Sequence, residues 1–271
     1  MHGLLGYTFL QNALLGALLA SVACGVVGTL AMERRLVMMS GGIAHTAFGG
    51  IGLGYYLHIE PIWGALAFSL ASSLAIAKIK QRVGTYSDLL VGMFWSLGMA
   101  TGIIFISLMP GYPPDFAAYL FGDILTVSRA DLKLMLVLDV LMLLIVASRY
   151  QYFKAFLFDE EFARVRGLPV GKLECLLYLL IAGTVVVLIR LMGIILVMAL
   201  FTVPPGIARQ ISCDLGRRMA AAAAVGMFLC VLGLCFSYFL GLPSGAVIAV
   251  LASIGYAVAA LGSRFSKAER T

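Results

Sequence analysis

Apolar residues in this chain occur in long runs. The runs fall at about 8–31, 43–59, 62–77, 89–109, 132–148, 173–189, 191–208, 219–240 and 244–262, each bounded by charge, Pro or Gly. One bilayer crossing takes roughly 20 such residues. Only helices and closed barrels satisfy their backbone groups in lipid. The pattern therefore predicts an all-α polytopic membrane protein with eight or nine transmembrane helices. The count turns on 191–208, where Pro204-Pro205-Gly206 predicts a broken helix. Little chain is left over, so residues 1–271 read as a single transmembrane domain.

Two segments interrupt the runs. Between 111 and 125, Pro113 and Pro114 stop the preceding helix, and a short amphipathic helix is expected to lie at the outer interface, capped or anchored by Asp123. The second segment is 158–169. Asp159, Glu160 and Glu161 stand in a first helical turn and Arg164 and Arg166 in a last one, matching the helix dipole. Gly167 and Pro169 end it. Phe158, Phe162, Val165 and Leu168 recur at helical spacing and give an apolar stripe. Such a helix either lies on lipid or inserts into a groove on a partner protein.

Charge orients the helices. Sixteen of the nineteen Lys and Arg fall in alternate loops, and only Arg129, Lys133 and Arg190 fall on the opposite side. Basic residues collect in cytoplasmic loops. The chain is expected to sit in a prokaryotic inner or plasma membrane with its N-terminus outside and its C-terminus in the cytoplasm. The net charge of +6 is then a topology signal. No basic patch is interleaved with exposed aromatics, so no nucleic acid is expected. No cation precedes the first apolar run and no small-residue cleavage site follows it, so the first helix is expected to remain in the membrane. On the outer side Glu60, Asp115, Asp123 and Asp131 give a slight acidic excess, a weak attraction that salt screens within about 8–10 Å.

Composition agrees. The chain is 62% hydrophobic and 12% charged, with a mean hydropathy of +1.04, whereas soluble domains carry about 25% charged residues. Five cysteines are dispersed without a C-x-x-C pair and read as small buried hydrophobes. Thirteen scattered methionines read as core filler. There is no G-x-x-x-x-G-K-[ST], so ATP hydrolysis is expected on a separate subunit. Gly50 to Gly54 superficially resembles a dinucleotide loop but lies inside an apolar helix, where packing is its use. No Ser-His-Asp, H-E-x-x-H or paired intramembrane aspartates are visible, and an enzyme is the least favoured reading.

The polar positions inside the runs are few. Gly42, Thr46, Gly50 and Gly54 form a ridge of small residues at every fourth position, suited to close helix approach. Gly41, His45 and Gly49 form the adjacent strip, so one imidazole projects from a glycine face. His45 is the only histidine inside a span, and ionisable groups there default to function. It either bonds a neighbouring carbonyl or lines a metal pathway. One imidazole cannot fill a metal's shell, so a site needs further residues or His45 of a second subunit. Asp139 either faces a pathway or snorkels outward. Trp63 and Trp95 read as interface belt or packing; His58 and Glu60 read as solvated loop residues.

In order and spacing, these features resemble the permease subunits of the zinc/manganese/iron ABC importers, the ABC-3 family, distantly similar to cobalamin and siderophore importer permeases. The resemblance is nearly full length. It is carried by Glu33-Arg34-Arg35, the His45 segment, Leu120-Phe-Gly-Asp-Ile-Leu125, Phe158-Asp-Glu-Glu-Phe-Ala163 with Gly167, Met192 to Arg209 with its prolines, and Leu242-Pro-Ser-Gly-Ala246. It implies a permease domain that forms a homodimer around a central pathway. Two cytoplasmic ATPase subunits would dock on residues 158–167, an extracytoplasmic metal-binding protein would deliver zinc, manganese or iron, and ATP would drive alternating access. Phe158, Asp159, Glu160, Glu161, Phe162, Arg164, Val165, Arg166 and Gly167 would couple to the ATPase. Gly42, Gly50, Gly54, Pro204 and Pro205 would serve packing or gating, and His45 with Asp139 would be the candidate pathway residues. No cofactor is expected on this chain. The sequence departs from the family at one point: an Asp usual four residues before the histidine is Gly41 here. A softer or chelated cargo, such as a corrinoid, is one alternative, and a gradient-driven secondary transporter is the other.

Overall fold

The computed structural model describes residues 8–84, 86–109, 122, 124 and 127–268, without the side chains of 190, 191 and 263–268. Apart from Gly122 and Ile124, the interfacial helix expected over 111–125, with Pro113, Pro114, Asp115 and Asp123, lies outside the described residues, as do the side chains of Arg190, Arg264, Lys267 and Arg270. The described chain forms α1 (Thr8–Glu33), α2 (Val37–Tyr56), α3 (Pro61–Val83), α4 (Ser87–Ser107), α5 (Arg129–Ser148), α6 (Tyr150–Phe158), α7 (Glu160–Val165), α8 (Val170–Ile211), α9 (Leu215–Leu240) and α10 (Ser244–Ala268).

Seven helical stretches are long and apolar enough to cross a membrane: α1, α3, α4, both arms of α8, α9 and α10. α2 and α5, 20 residues each, are also long enough. Glycine dilutes the first, and Arg129, Asp131, Lys133 and Asp139 charge the second. Together they make nine helical passages among the described residues.

α8 decides that number. Its 42 residues would reach about 60 Å as one straight helix, twice the hydrocarbon core. The helix instead breaks at Gly193, with φ 73° and ψ 165°, a region essentially restricted to glycine. Contacts trace the reversal. Glu174 meets Lys80 at the basic end of α3, while Val186 and Ile189 share a small cavity with Pro61 and Ile62 at its other end. Met192 then lies beside Gly16, and Arg209 shares a groove with Arg35 back at the basic end. The first arm thus runs away from the basic end and the second returns to it. Gly122, itself at φ 55°, seats its backbone on Met192 and Gly193, where a Cβ would overlap both.

The break is not at the prolines, as the sequence predicted. α8 continues through Pro204 and Pro205. Each proline frees the carbonyl four residues earlier, here Leu200 and Phe201. The Phe201 carbonyl faces Gly28 of α1, where a Cβ would stand 2.7 Å from it, and the Thr202 hydroxyl donates to the Met198 carbonyl at 2.9 Å. Close neighbours and a local hydroxyl of this kind let a membrane helix carry proline without breaking.

α1 and α8 form the middle of the bundle. α1 packs on α9, α8 and α5, while α2 packs on α3, α4 and α8. Small residues permit this: Ala13, Ala17, Ala20 and Ala31 are fully buried, and a Cβ on Gly25 would stand 2.6 Å from the Ala223 nitrogen. Helices have no hydrophobic drive towards one another in lipid, so this closeness supplies the attraction.

Candidate functional site

The α2 ridge is a line of close contacts, to the Val91 side chain at Gly42 and to backbone at Gly50 and Gly54. Gly42 lies under Val91, Gly50 against the Gly64 carbonyl, and Gly54 against Pro61, whose Cα would be 2.8 Å from an added Cβ. Thr46 meets Gly98 of α4, where a Cβ would be 2.5 Å from the Thr46 Cα. Gly52 and Gly102 approach equally closely. α2 is thereby wedged between α3 and α4, which fixes the direction of its one imidazole.

His45 is half-buried. Its ring stacks on Trp95 of α4, with centroids 4.2 Å apart and planes 5° apart, and more loosely on Phe48 at 6.2 Å. Its Nδ1 is buried without a hydrogen-bond partner. Trp95, read from the sequence as belt or packing, is the side chain that holds this imidazole flat. The strip around it differs at its two ends. A Cβ on Gly49 would meet Phe68 and the Thr101 hydroxyl, whereas one on Gly41 would stand 2.7 Å from the Met198 methyl of α8. The side chain beside the imidazole strip is therefore a thioether. One turn nearer the basic end, Met38 and Thr202 line a groove of 640 Å³ with Arg35, Asp88, Arg209 and Tyr256.

Asp139 is buried, 6% exposed, and one carboxyl oxygen has no hydrogen-bond partner. It does not snorkel. Nor is it on the helix that carries His45: α5 packs chiefly on α1 and α8, and α2 packs on α3, α4 and α8. Among the described residues, no three His, Cys, Asp or Glu side chains are grouped to hold a metal ion. Within one chain the arrangement offers an imidazole and, one turn along the helix beside Gly41, a thioether.

The segment from 158 to 169 is a six-residue helix, shorter than its sequence suggests. Asp159 is its N-cap, accepting from the Phe162 N–H at 2.9 Å, and is not part of its first turn. Gly167, at φ 74°, ends it. α6 precedes it and was not legible as a helix. Arg149 interrupts the helical dihedrals, after which α6 buries Phe153 and Phe156 completely. The sequence signal was the pair Phe153 and Phe156 at i, i+3 spacing.

One side of α7 is locked to the bundle and the other is free. Ala163 is fully buried. Glu160 accepts from Arg34, beyond the end of α1, at 2.5 Å and from Arg164 at 2.9 Å. Arg34 also lies 4.2 Å from the Phe156 ring centroid. The hydrogen bond from Arg34 holds the Glu160 carboxyl below its ordinary range. On the other side Phe158, Phe162 and Val165 are 67%, 55% and 87% exposed, while Leu168 is half-buried. Arg166 lies over the Phe162 ring at 5.7 Å.

Nine hydrophobic passages among the described residues, with a short amphipathic helix pair packed on the basic end, define a polytopic α-helical membrane protein. The chain belongs to the ABC 3 transport family, whose profile matches residues 6–263. It is 46% identical to an uncharacterized membrane protein of Synechocystis sp., over 94% of this chain and 90% of that one. It is 30% identical to the manganese transport system membrane protein MntC of Listeria monocytogenes, over 98% and 97% of the two chains. Among solved structures it is similar to PsaBC from Streptococcus pneumoniae in complex with Fab, with a TM-score of 0.84 and 28% identity over 95% of this chain and 93% of that one.

Proposed function

We propose that this chain is the permease subunit of an ATP-driven importer that carries a divalent transition-metal ion into a bacterial cytoplasm. Two copies enclose the pathway, two ATPase subunits dock at the basic end, and an extracytoplasmic binding protein supplies the ion. The chain itself binds no cofactor; ATP is bound by its partners. The observation that carries this reading is the exposed Phe158, Phe162 and Val165 ridge on a helix whose opposite side is ion-paired to the bundle. An apolar ridge fits a groove on a partner, and its rigid mounting would transmit the partner's movement to α1 through Arg34. The cargo class is supported by the Listeria relative, a manganese transport system protein.

His45, flattened on Trp95, is the pathway residue in this reading, completed by His45 of the second copy. Gly41 and Met198 favour a second reading of the cargo. A thioether one helical turn from an imidazole suits a softer ion than Mn²⁺, or an ion that arrives chelated.

ATP-dependent uptake into proteoliposomes holding the permease, its ATPase and its binding protein tests both readings. Zn²⁺, Mn²⁺ and Fe²⁺ are compared, free and chelated, with His45→Ala alongside. Selective uptake of one free ion, lost in His45→Ala while the complex still assembles, is the expected result. Uptake of chelates alone would establish the second reading, and uptake that persists without the ATPase would overturn both.

A further inference from the structure

Many cations at the basic end are paired. Arg34 meets Glu160, Arg218 meets Glu33, Lys80 meets Glu174 at 2.6 Å, and Lys154 meets Asp214 at 3.7 Å. Lys78 near the end of α3, Arg149 at the α5–α6 junction and Lys172 in the first turn of α8 differ. All three are exposed, and among the described residues no carboxylate pairs with any of them. Even so they converge on one groove of 910 Å³ whose lining includes no Asp or Glu. The neighbouring carboxylate, Glu174, is already held by Lys80 at 2.6 Å and by the Gln81 amide at 3.3 Å. Three like charges gathered in one groove repel each other unless an anion joins them.

Apart from Gln81 and Ser148 near the cations, the rest of the groove is mostly apolar and ordered by depth. Lys172, Leu176 and Leu179 line it from one face of α8, at i, i+4 and i+7. Arg149 and Ile145 repeat the order on α5, with the cation at the helix end and the apolar residue one turn deeper. Each helix thus sets a charge at the end of a membrane span and a hydrocarbon surface below it. A soluble anion would use only the upper half of such a groove. A phospholipid would use both.

We infer that this groove between α3, α5 and α8 binds an anionic phospholipid of the surrounding bilayer. Lys78, Arg149 and Lys172 hold the phosphate, and an acyl chain lies along Ile145, Leu176 and Leu179. Basic pockets between membrane helices recognise anionic headgroups in this way. The inference rests on the chain being embedded in a membrane and is independent of what it transports. The bound lipid would clamp α5 to α8 at the point where the chain turns into α6 and α7.

The test uses the full chain in detergent, titrated with dioleoylphosphatidylglycerol, dioleoylphosphatidylcholine or glycerol 1-phosphate. Bound lipid is counted by native mass spectrometry, and stabilisation is read by thermal unfolding. Phosphatidylglycerol should bind and stabilise, while phosphatidylcholine and glycerol phosphate should do so far more weakly. Each cation removed should weaken phosphatidylglycerol on the order of fivefold, and Lys78→Gln/Arg149→Gln/Lys172→Gln together roughly a hundredfold. Arg129→Gln/Lys133→Gln, at the other end, should leave it unchanged. Equal binding of the two lipids, or undiminished binding by the triple variant, would overturn the proposal. Equal protection by glycerol phosphate would replace it with a soluble-anion site. If the triple variant aggregates, the three single variants and Leu176→Trp, which fills the acyl track, decide instead. Unchanged affinity in all four would overturn the inference.

Discussion

Gly50 and Gly64 lie backbone to backbone where α2 crosses α3, and a Cβ on either would overlap the carbonyl of the other. Backbone cannot yield as a side-chain tip can. Gly50→Ala is therefore expected to cost about 2 kcal/mol or more, read as a lower thermal midpoint in detergent. Gly92→Ala on α4 meets nothing within 4 Å and should gain a few tenths of a kcal/mol from helix propensity, on the order of 0.5. Gly42, Gly50 and Gly54 were legible as a ridge because small residues at every fourth position have one common use in a membrane helix. Trp95 was not legible as the neighbour of the imidazole, nor Met198 as the neighbour of Gly41. They reach the His45 strip from α4 and α8, and no spacing within α2 encodes them. Trp95→Ala should raise the half-saturating metal concentration in the uptake assay, with Trp95→Phe retaining most of the affinity. Equal uptake by all three proteins would leave the stack a packing contact only.

At the scale of elements, the apolar runs located the long helices with ends off by up to six residues, while the breaks followed rules that composition did not show. Pro204 and Pro205 announce a break that neighbouring helices suppress. Gly193 makes one because its φ and ψ exclude other residues. Gly193→Ala should cost about 1–3 kcal/mol and reduce the yield of folded protein in membranes, whereas Gly206→Ala, a helical position against the flexible Tyr256 ring at 3.0 Å, should be far milder. The α7 mounting gives a pH prediction. Glu160 is held below its ordinary pKa of 4.5 by Arg34, so its contribution is full above that value and lost as pH falls through the lower folded value. Both partners are partly exposed, 18% and 35%, which limits the pair to on the order of 1 kcal/mol. Hydrogen exchange over 158–169, corrected for the fall of intrinsic amide exchange rates in acid, should therefore be strongly protected at pH 7 and lose protection as pH falls. In Arg34→Ala or Glu160→Gln it should be several-fold faster already at pH 7, with a weaker acid response. A parallel acid response in wild type and variants would remove the pair from the mounting of α7.

At the scale of the whole molecule, the end that faces the cytoplasm decides what the exposed ridge can meet. The ion pairs Arg34–Glu160, Arg218–Glu33, Lys80–Glu174 and Lys154–Asp214, the exposed ridge and the lipid groove all share the basic end. The positive-inside rule assigns that end to the cytoplasm, where ATPase subunits can reach the ridge. Cys213, between α8 and α9 at this end, is exposed. Ile59, between α2 and α3 at the other end, is 48% exposed. A variant keeping Cys213 alone should resist a membrane-impermeant maleimide in intact cells and react in inside-out vesicles. A cysteine-free variant carrying Ile59→Cys should do the reverse. In the expected orientation, Phe162→Asp should then weaken co-purification of the ATPase by about tenfold or more without lowering the permease's thermal midpoint, because Phe162 supports no buried contact. The opposite labelling pattern would put Phe158, Phe162 and Val165 outside the cell, beyond reach of any ATP-hydrolysing partner. The importer reading would then fail whatever His45 proved to do.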